Sequence, residues 1–523
     1  MPHRFAFRNS IALSLALASL AASPVRAEHA PQIFQPGEFP AATAQIAGAP
    51  LMLTLTGPVA EACMAEYTGD NVTDFTSADA QALRDALEAV MPGETVKLAG
   101  TCAGVITQGG GSQVGLITKT ITLQGGYTPT NWTNSYPITQ PTTLDALGGG
   151  RVLSVSVAAT IANLIARNGM ASGGDGGAIY ASDGLTLSAV EVLSSAAASS
   201  GGGLFANGAV VLSEGVFEGN MAFHGGGLFT NQTLALTGTR FVGNTAQGYG
   251  GGGFAHRAAT LNGGEFRSNR SLSLNGGGLA AYATLALSGT RFIDNVALYS
   301  GGGVTAVGPM TVTDAEFAGN RALTYYGGGL TVAQDLSVMN SRFVSNTARG
   351  LGGGLWQSAG IGRIVNALFD RNASEGAVLY FDQTRLVSVI HTTFASPTLA
   401  SSNAIAVVTG TLNVSNTIIA SHTIGISRTG GTVNEDFNLF FGNLTDRTAG
   451  VPTGPNSVHG NPLFVDPWMG NDHIGPASAA LDVGWDVGVT TDFEGNPRPL
   501  GGGFDIGYDE RLPPRAYLPL LTR

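Results

Sequence analysis

The sequence predicts an all-β fold, a right-handed parallel β-helix with three strands in each coil of about 25 residues and a short N-terminal capping helix. Two motifs recur with one period. Gly-Gly-Gly begins, at intervals of 24 to 26 residues, at Gly201, Gly225, Gly250, Gly276, Gly301, Gly327 and Gly352. Phe-x-x-Asn begins, at the same intervals, at Phe217, Phe241, Phe266, Phe292, Phe317, Phe343 and Phe369. Two motifs that keep one period over seven copies indicate a solenoid of stacked units.

Short alternating segments within each repeat predict the strands. In Leu234–Leu236 and Leu285–Leu287, apolar residues alternate with a small one, which is the period of a half-buried strand. Glycine and asparagine at fixed offsets mark the turns. No repeat contains an amphipathic run of helix length, which excludes helical and leucine-rich solenoids. We therefore expect the β-helix over residues 94–445, with regular repeats at 201–376 and coils stacked about 4.8 Å apart.

Residues 1–27 have the pattern of a bacterial signal peptide. Arg4 and Arg8 precede an apolar run from Ile11 to Ala22, and Val25-Arg26-Ala27 places small residues at the positions that signal peptidase reads. A retained membrane anchor is the alternative, but the run is shorter than the roughly 20 residues that a spanning helix needs. The pattern predicts a mature protein that begins near Glu28, is secreted or held at the cell surface, and is not an integral membrane protein.

Residues 28–93 are expected to form an N-terminal segment and a capping helix. Ser77 can serve as the N-cap of a helix in which Leu83, Leu87, Val90 and Met91 share one face. Such a helix would cover the strand edges that the open end of a β-helix exposes.

The chain has two cysteines, Cys63 and Cys102, both in its N-terminal part. In an exported protein a disulfide between them is expected, because oxidising compartments favour it. The alternative is that both are small buried apolar residues.

The Phe-x-x-Asn motif predicts two internal ladders. Each phenylalanine should point inward and stack on its counterpart in the next coil. The asparagines should line one turn, where each side-chain amide bonds to the amides above and below it. They are Asn220, Asn244, Asn269, Asn295, Asn320, Asn346 and Asn372.

The residue before each inward phenylalanine should face outward, since side chains alternate along a strand. In coil order these residues are Arg240, Glu265, Arg291, Glu316 and Arg342. Their alternating sign avoids stacking like charges, and we interpret it as control of strand register rather than as a source of stability.

The composition argues against nucleic acid as a partner. The net charge is −11, and the only lysines in the chain are Lys97 and Lys119. Nucleic-acid binding needs a cationic surface that neutralises phosphates.

The repeat itself resembles a known family. Gly-Gly-x-apolar followed by Phe-x-x-Asn is similar to the repeat of polymorphic outer membrane proteins, within the pectin-lyase-like β-helix superfamily. The third position of the glycine motif departs from that repeat, because this chain has glycine where alanine is usual. The stretch from Lys97 to Cys102, Gln124–Tyr127 and Asn131-Trp132 resemble the first coils of large exported bacterial β-helix proteins.

Residues 446–523 are expected to form a C-terminal cap that resembles the "choice-of-anchor" region of such proteins. The matching residues are Asn461–Asp466, Ala480–Asp482, Asp492, Arg498-Pro499, Asp505–Gly507 and Glu510. The family commonly has Ala-Tyr where this chain has Tyr508-Asp509. The resemblance implies a surface protein and leaves its ligand open.

The sequence contains no recognisable catalytic constellation. Asp314 and Glu316 are the one pair of acids within a strand of the repeats, and solvated surface is the alternative for them. The histidines show no metal-ligand spacing. The acidic residues of the C-terminal region suggest Ca²⁺, with turn-capping as the alternative. They are Asp466, Asp472, Asp482, Asp486, Asp492, Asp505 and Asp509. We therefore predict no catalytic residues, no metal site and no cofactor.

A stripe of aromatic residues just before the glycine triplets is the candidate binding site. Its core is Tyr249, Tyr299, Tyr325 and Tyr326, with Phe223-His224 at one end. Aromatic rings beside an open glycine ribbon would stack against sugar rings. The alternative is that the aromatic rings pack over the turn.

We expect a non-enzymatic, adhesin-like or glycan-binding protein whose partner is a surface polysaccharide or another cell. The alternative is a polysaccharide lyase or glycoside hydrolase of the pectin-lyase-like fold.

Overall fold

The computed structural model describes residues 62–511, which form a parallel β-helix of about 14 turns. The predicted signal peptide, at residues 1–27, lies outside the described residues. A regular coil has four strands, for example Leu204–Ala206, Val210–Ser213, Val216–Glu218 and Met221–Ala222. Equivalent strands of successive coils pair in parallel and form four ladders, called A, B, C and D in that order. The predicted fold class is confirmed, and the two-residue strand of ladder D adds to the three strands expected.

Ladders A and B form two sides of each coil. Several long strands bend, so that a single strand contributes to two ladders, either B and C or A and B. The strands of ladder A are Gly111–Ile117, Arg151–Val155, Ile179–Ala181, Leu204–Ala206, Leu228–Thr230, Gly253–Ala255, Leu279–Ala281, Val304–Ala306, Leu330–Val332, Leu355–Val365, Ala377–Ile390, Asn403–Val407, Ile424–Arg428 and Thr445–Arg447. Those of ladder B are Thr95–Ala99, Thr122–Tyr127, Ala159–Arg167, Leu185–Leu193, Val210–Ser213, Leu234–Thr237, Ala259–Asn262, Leu285–Ser288, Met310–Thr313, Leu336–Met339, Leu355–Val365, Ala377–Ile390, Thr411–Ser415 and Thr432–Asp436.

Ladders C and D complete the coil. Ladder C contains Thr101–Ala103, Thr142–Asp145, Ala159–Arg167, Leu185–Leu193, Val216–Glu218, Arg240–Val242, Glu265–Arg267, Arg291–Ile293, Glu316–Ala318, Arg342–Val344, Leu368–Asp370, Thr393–Ala395, Ile418–Ala420, Leu439–Phe441 and Val458–His459. Ladder D contains Met170–Ala171, Ala196–Ala197, Met221–Ala222, Thr245–Ala246, Arg270–Ser271, Val296–Ala297, Arg321–Ala322 and Thr347–Ala348. The second residue of each D strand is small and buried, which explains the small residue two positions after each ladder asparagine from Asn220 to Asn346.

A helix covers the N-terminal end of the described chain. It spans Gln81–Ala89, and its Leu83 and Leu87 are buried. The N-cap position is Ala80, although the Ser77 hydroxyl accepts a hydrogen bond from the Ala82 amide at 2.9 Å. Met91 is 63% exposed, so its predicted place on the buried face is wrong, because the helix ends before it.

Antiparallel strands and a disulfide tie this helix to the first coil. Cys63–Glu66 pairs with Phe75–Ser77 and with Thr95–Ala99 of ladder B, and Ile106–Gln108 pairs with Gly111–Ile117. Cys63 and Cys102 are joined by a disulfide with an S–S distance of 2.06 Å. Among residues 62–511, no helix is long and apolar enough to cross a bilayer.

Inward side chains of ladders A, B and C form one continuous core. Its centre is a column of phenylalanines that starts at Phe217 and ends at Phe394, with ring centroids of adjacent coils 4.6 to 5.1 Å apart. Every ring in the column is at most 1% exposed. Phe394 lies outside the repeating Phe-x-x-Asn motif, so the column is one ring longer than the motif indicates.

The ladder asparagines lie buried in the corner between ladders C and D. The Asn295 Oδ1 accepts hydrogen bonds from both the backbone and the side-chain amide of Asn269, each at 3.0 Å. The Asn295 Nδ2 donates to Oδ1 of Asn320 at 3.0 Å and to the Phe266 carbonyl at 2.7 Å. The same side-chain bonds, at 2.9 to 3.0 Å, join each asparagine from Asn220 to Asn372.

The alternating charges face outward from ladder C in the expected register. Arg291 is bonded to both neighbours, with Nη1 3.0 Å from Glu265 Oε2 and Nε 2.9 Å from Glu316 Oε2. Glu265 is also paired with Arg267 in its own strand at 2.7 Å. Arg240 and Arg342, at the two ends, form no salt bridge within the described part of the chain.

The C-terminal region covers the last coil and then folds back along ladder C. Val458–His459 adds a final strand, and beyond it lie an antiparallel pair, Phe464–Asp466 with Asn471–Ile474, and a 3₁₀ turn at Pro467–Met469. Ile474 and Ile506 pack on the outer face of ladder C. The ladder-C positions in register with Arg342 accordingly become uncharged, and they are Leu368, Thr393, Ile418, Leu439 and Val458.

Candidate functional site

The glycine triplets form the turn from ladder D to ladder A, and they are buried. The first glycine of each triplet has a positive φ, between 60° at Gly225 and 72° at Gly276. A Cβ on Gly226 would collide with the carbonyl oxygen of Gly251 in the next coil. The expectation of an open glycine ribbon is therefore wrong, because the triplets are buried and a side chain there would meet the backbone of the next coil.

The outer face of ladder A carries an aromatic column that is sealed at both ends. Tyr180, Phe205, Phe229 and Phe254 stack with centroid separations of 4.8 to 5.5 Å. The Arg151 guanidinium lies 5.2 Å from the Tyr180 ring centroid. At the other end, Tyr282 packs edge-on against Phe254 at 4.8 Å. Since neighbouring groups cover the ring faces, this column stabilises the coils and offers no face to a ligand.

Tyr249 belongs to a second group of rings, the His224 cluster, formed by Phe223, His224, Tyr249 and Tyr282. The rings of His224 and Tyr249 are stacked 5.5 Å apart, and the Tyr249 amide donates to His224 Nδ1 at 3.1 Å. Burial lowers the pKa of His224. Burial, together with a hydrogen bond to Tyr249, raises the pKa of Tyr282 to about 12. Tyr249 is half-buried among these partners, so it packs over the turn.

The other three predicted tyrosines form a separate tyrosine cluster, composed of Tyr299, Tyr325, Tyr326 and Trp356. Tyr325 is 46% exposed, and its ring is tilted 54° to that of Tyr299 at 5.2 Å. Tyr326 stacks on Trp356 at 4.8 Å with an interplanar angle of 16°. The cluster therefore has a packed base and one ring open to solvent.

The predicted stripe is thus interrupted. Leu274 and Asn275 occupy the corresponding turn between Tyr249 and Tyr299, so the stripe divides into two clusters. The aromatic stripe that the sequence predicts does not include Trp356, which lies two positions after a glycine triplet. That position carries Phe205, Phe229 and Phe254 in earlier coils, and this register is the signal for Trp356.

Asp314 and Glu316, the acidic pair considered for catalysis, are not two neighbouring unpaired carboxylates. Glu316 is engaged by Arg291, and Asp314 is exposed in the turn between ladders B and C, with a φ of 51°. With Glu316 paired to a guanidinium and Asp314 in an exposed turn, the two acids do not form the facing carboxylate pair that glycoside hydrolysis needs.

Six of the seven C-terminal aspartates accept hydrogen bonds from backbone amides, and three of them, Asp466, Asp486 and Asp492, cap their own turns. The acceptors are Asp466, Asp482, Asp486, Asp492, Asp505 and Asp509.

Residues that resemble the choice-of-anchor motif lie together in the C-terminal region. Arg498, fully buried, is paired with Glu510 at 2.6 Å and donates to the Gly507 carbonyl at 3.0 Å.

His473, Glu494 and Asp509 place ligand-type atoms within 4.8 Å of one another, a juxtaposition that the sequence spacing did not indicate. Both ring nitrogens of His473 lie 2.7 Å from an oxygen, one of Asn471 and one of Glu494. The Glu494 hydrogen bond raises the pKa of His473. A protonated, hydrogen-bonded imidazole accounts for this geometry without a metal.

No protein-family profile matches the chain, and no curated protein is significantly similar to it. The class that the structure defines is a parallel β-solenoid protein. The more specific resemblances, to polymorphic outer membrane protein repeats and to a choice-of-anchor region, stay predictions.

Proposed function

We propose that the protein is exported by a bacterial cell, acts at the cell surface or outside the cell, and binds glycans through its tyrosine cluster. The observation that carries this proposal is the exposed ring of Tyr325 on a rigid base of stacked rings. Sugar rings have apolar faces that pack on aromatic rings, and a ring already fixed by its neighbours loses little conformational entropy on binding.

Export is supported by two independent features. The disulfide between Cys63 and Cys102 suits an oxidising compartment. The first 27 residues have the pattern of a cleaved signal peptide, as argued from the sequence.

A glycan array probed with the purified protein tests the proposal. Replacing Tyr325 by alanine should weaken the strongest interaction by about 1–3 kcal/mol, by analogy with base stacking on aromatic rings, and should barely change the melting temperature. Tyr136→Ala is the matched control, because Tyr136 is 45% exposed and lies in an N-terminal loop. Its glycan binding should equal that of the wild type.

A large fall in melting temperature for Tyr325→Ala with unchanged binding would show that the ring only packs over the turn. The enzymatic alternative is tested by measuring unsaturated and reducing sugar products on the bound glycans. Product formation would replace the binding proposal with that of a lyase or hydrolase.

A further inference from the structure

The outer face of ladder D and the turn after it carry arginines beside the tyrosine cluster. Arg270, Val296 and Arg321 occupy successive coils in register, and both arginines are exposed. They are two coils apart, which corresponds to about 10 Å along the helix axis. Arg349, also exposed, follows ladder D one coil further on. These three residues are called the arginine edge.

The arginine edge is not neutralised by the protein. Within residues 62–511, neither Arg270 nor Arg321 forms a salt bridge. Arg349 has one distant contact, 3.9 Å from Glu375, with both side chains more than 70% exposed. The whole chain has a net charge of −11, so a cationic edge with weak internal pairing contrasts with the rest of the molecule. Unpaired arginines on a rigid surface suit carboxylate, sulfate or phosphate groups.

The side chains beside the arginines are apolar. Leu272 and Leu323 are exposed and follow the same D strands as Arg270 and Arg321. In the coil of Arg321, the chain then continues directly to Tyr325, the exposed ring of the tyrosine cluster. Arg270, Val296 and Arg321 lie on one line parallel to the axis, and Arg349, Leu272, Leu323 and Tyr325 lie beside that line in the turn after ladder D.

We propose that the arginine edge and the tyrosine cluster together bind an acidic polysaccharide. Its carboxylate or sulfate groups pair with Arg270, Arg321 and Arg349, and its sugar rings lie on Tyr325. This inference rests on the proposed glycan-binding function and adds the charge of the ligand. A polymer with repeated anionic groups matches a row of cations fixed at multiples of the coil spacing, whereas a single small anion would use one arginine only.

Binding of the purified protein to heparin, alginate and dextran provides the test, with vesicles of phosphatidylglycerol as a fourth probe. The double variant Arg270→Gln, Arg321→Gln should bind heparin or alginate about tenfold more weakly than the wild type. The control variant Arg363→Gln, Arg385→Gln makes the same change of charge at exposed positions on the ladder-B side. It should bind as the wild type does. Added salt should weaken wild-type binding more than that of the arginine-edge variant.

The outcomes separate this inference from the proposed function. If glycans bind and Tyr325→Ala weakens them, but the arginine-edge variant binds like its control, the ligand is neutral and the inference is overturned while the function stands. If no glycan binds, both are overturned. Binding to the vesicles but not to the polysaccharides would assign the edge to a lipid surface and would likewise overturn the inference.

Discussion

Each ladder asparagine satisfies several backbone and side-chain groups in one crowded corner. Asn295 accepts from two groups of Asn269 and donates to Asn320 and to the Phe266 carbonyl, all without access to water. An aspartate would lack the donors, and a longer glutamine would not fit a corner lined by backbone. The side chain therefore holds three consecutive coils together.

Replacing Asn295 by alanine should lower the free energy of unfolding by about 1–3 kcal/mol, because the Asn269 side-chain amide and the Phe266 carbonyl would lose buried partners. The measurement is denaturant unfolding of the purified protein. Asn207→Ala is the control, since Asn207 is exposed and off the ladder, and it should cost less than about 1 kcal/mol. Equal losses in the two variants would contradict a special role for the ladder.

Single residues also show what the sequence could and could not predict. The asparagine bonds follow from one spacing repeated seven times, since identical residues at one offset must stack in a solenoid. The partners of Tyr249 and Tyr326 do not follow from it, because the turn before each triplet varies in length. A change of one residue in the length of that turn decides whether an aromatic ring packs on His224, packs on Trp356 or is exposed to solvent.

At the scale of strands, ladder C shows how outward positions respond to their surroundings. From Arg240 to Arg342, where the face meets solvent, the position before the phenylalanine is charged and alternates in sign, and Val216, one coil earlier, is uncharged. Where the C-terminal region covers that face, the same position is uncharged, as in Leu368 and Ile418. The alternating charges favour the observed register of ladder C, because pairing a strand with the next coil but one would bring like charges together.

Replacing Arg291 by glutamate would place three acids in successive coils, with Glu265 and Glu316 on either side. We expect a modest loss of stability that added salt relieves, because exposed charges are screened. Unfolding in denaturant at low and high salt measures the effect. Adding Glu316→Arg should restore part of the loss, since positions 291 and 316 would again carry opposite charges. A loss that salt does not change would show that packing, rather than charge, controls this position.

At the scale of the whole molecule, the C-terminal region was the part least accessible to sequence reasoning. Its expected role is that of a cap, and Val458–His459 adds the last strand of ladder C. The fold-back along ladder C depends on contacts such as the hydrogen bond between Asn366 Nδ2 and the Thr491 carbonyl. Such pairs are more than a hundred residues apart and carry no period, so no repeat analysis finds them.

This attachment buries a cluster of charges between the β-helix and the C-terminal region. Asp472 is fully buried, and both its carboxylate oxygens lack a hydrogen-bond partner. Burial, and then the charge of Asp370, raise its pKa to about 7. Arg371, Arg342 and His473 act in the opposite direction, and Arg371 is paired with Asp370 at 2.5 Å.

A carboxyl group whose pKa is higher in the folded than in the unfolded protein stabilises the fold when protonated. Its contribution is complete below about pH 4 and is lost as the pH rises towards 7. We therefore expect the melting temperature of Asp472→Asn to fall less between pH 5 and pH 8 than that of the wild type. Some dependence should remain, because burial also raises the pKa of Glu510 to about 7.

The control for this experiment is Asp486→Asn. Asp486 is exposed and accepts a hydrogen bond from the Gly488 amide, so its replacement should leave the pH dependence unchanged. Parallel curves for Asp472→Asn and the wild type would show that the buried carboxyl does not titrate in this range.

The charge alternation on ladder C also has a consequence for how such a chain can change in length. Solenoids grow and shrink by gaining or losing whole coils. Removing one interior coil from the series Arg240, Glu265, Arg291, Glu316, Arg342 would leave two residues of like sign adjacent, whereas removing two consecutive coils would preserve the order. Inside the series, a pair of coils, about 50 residues, is thus the smallest unit that can be duplicated or deleted without bringing like charges together.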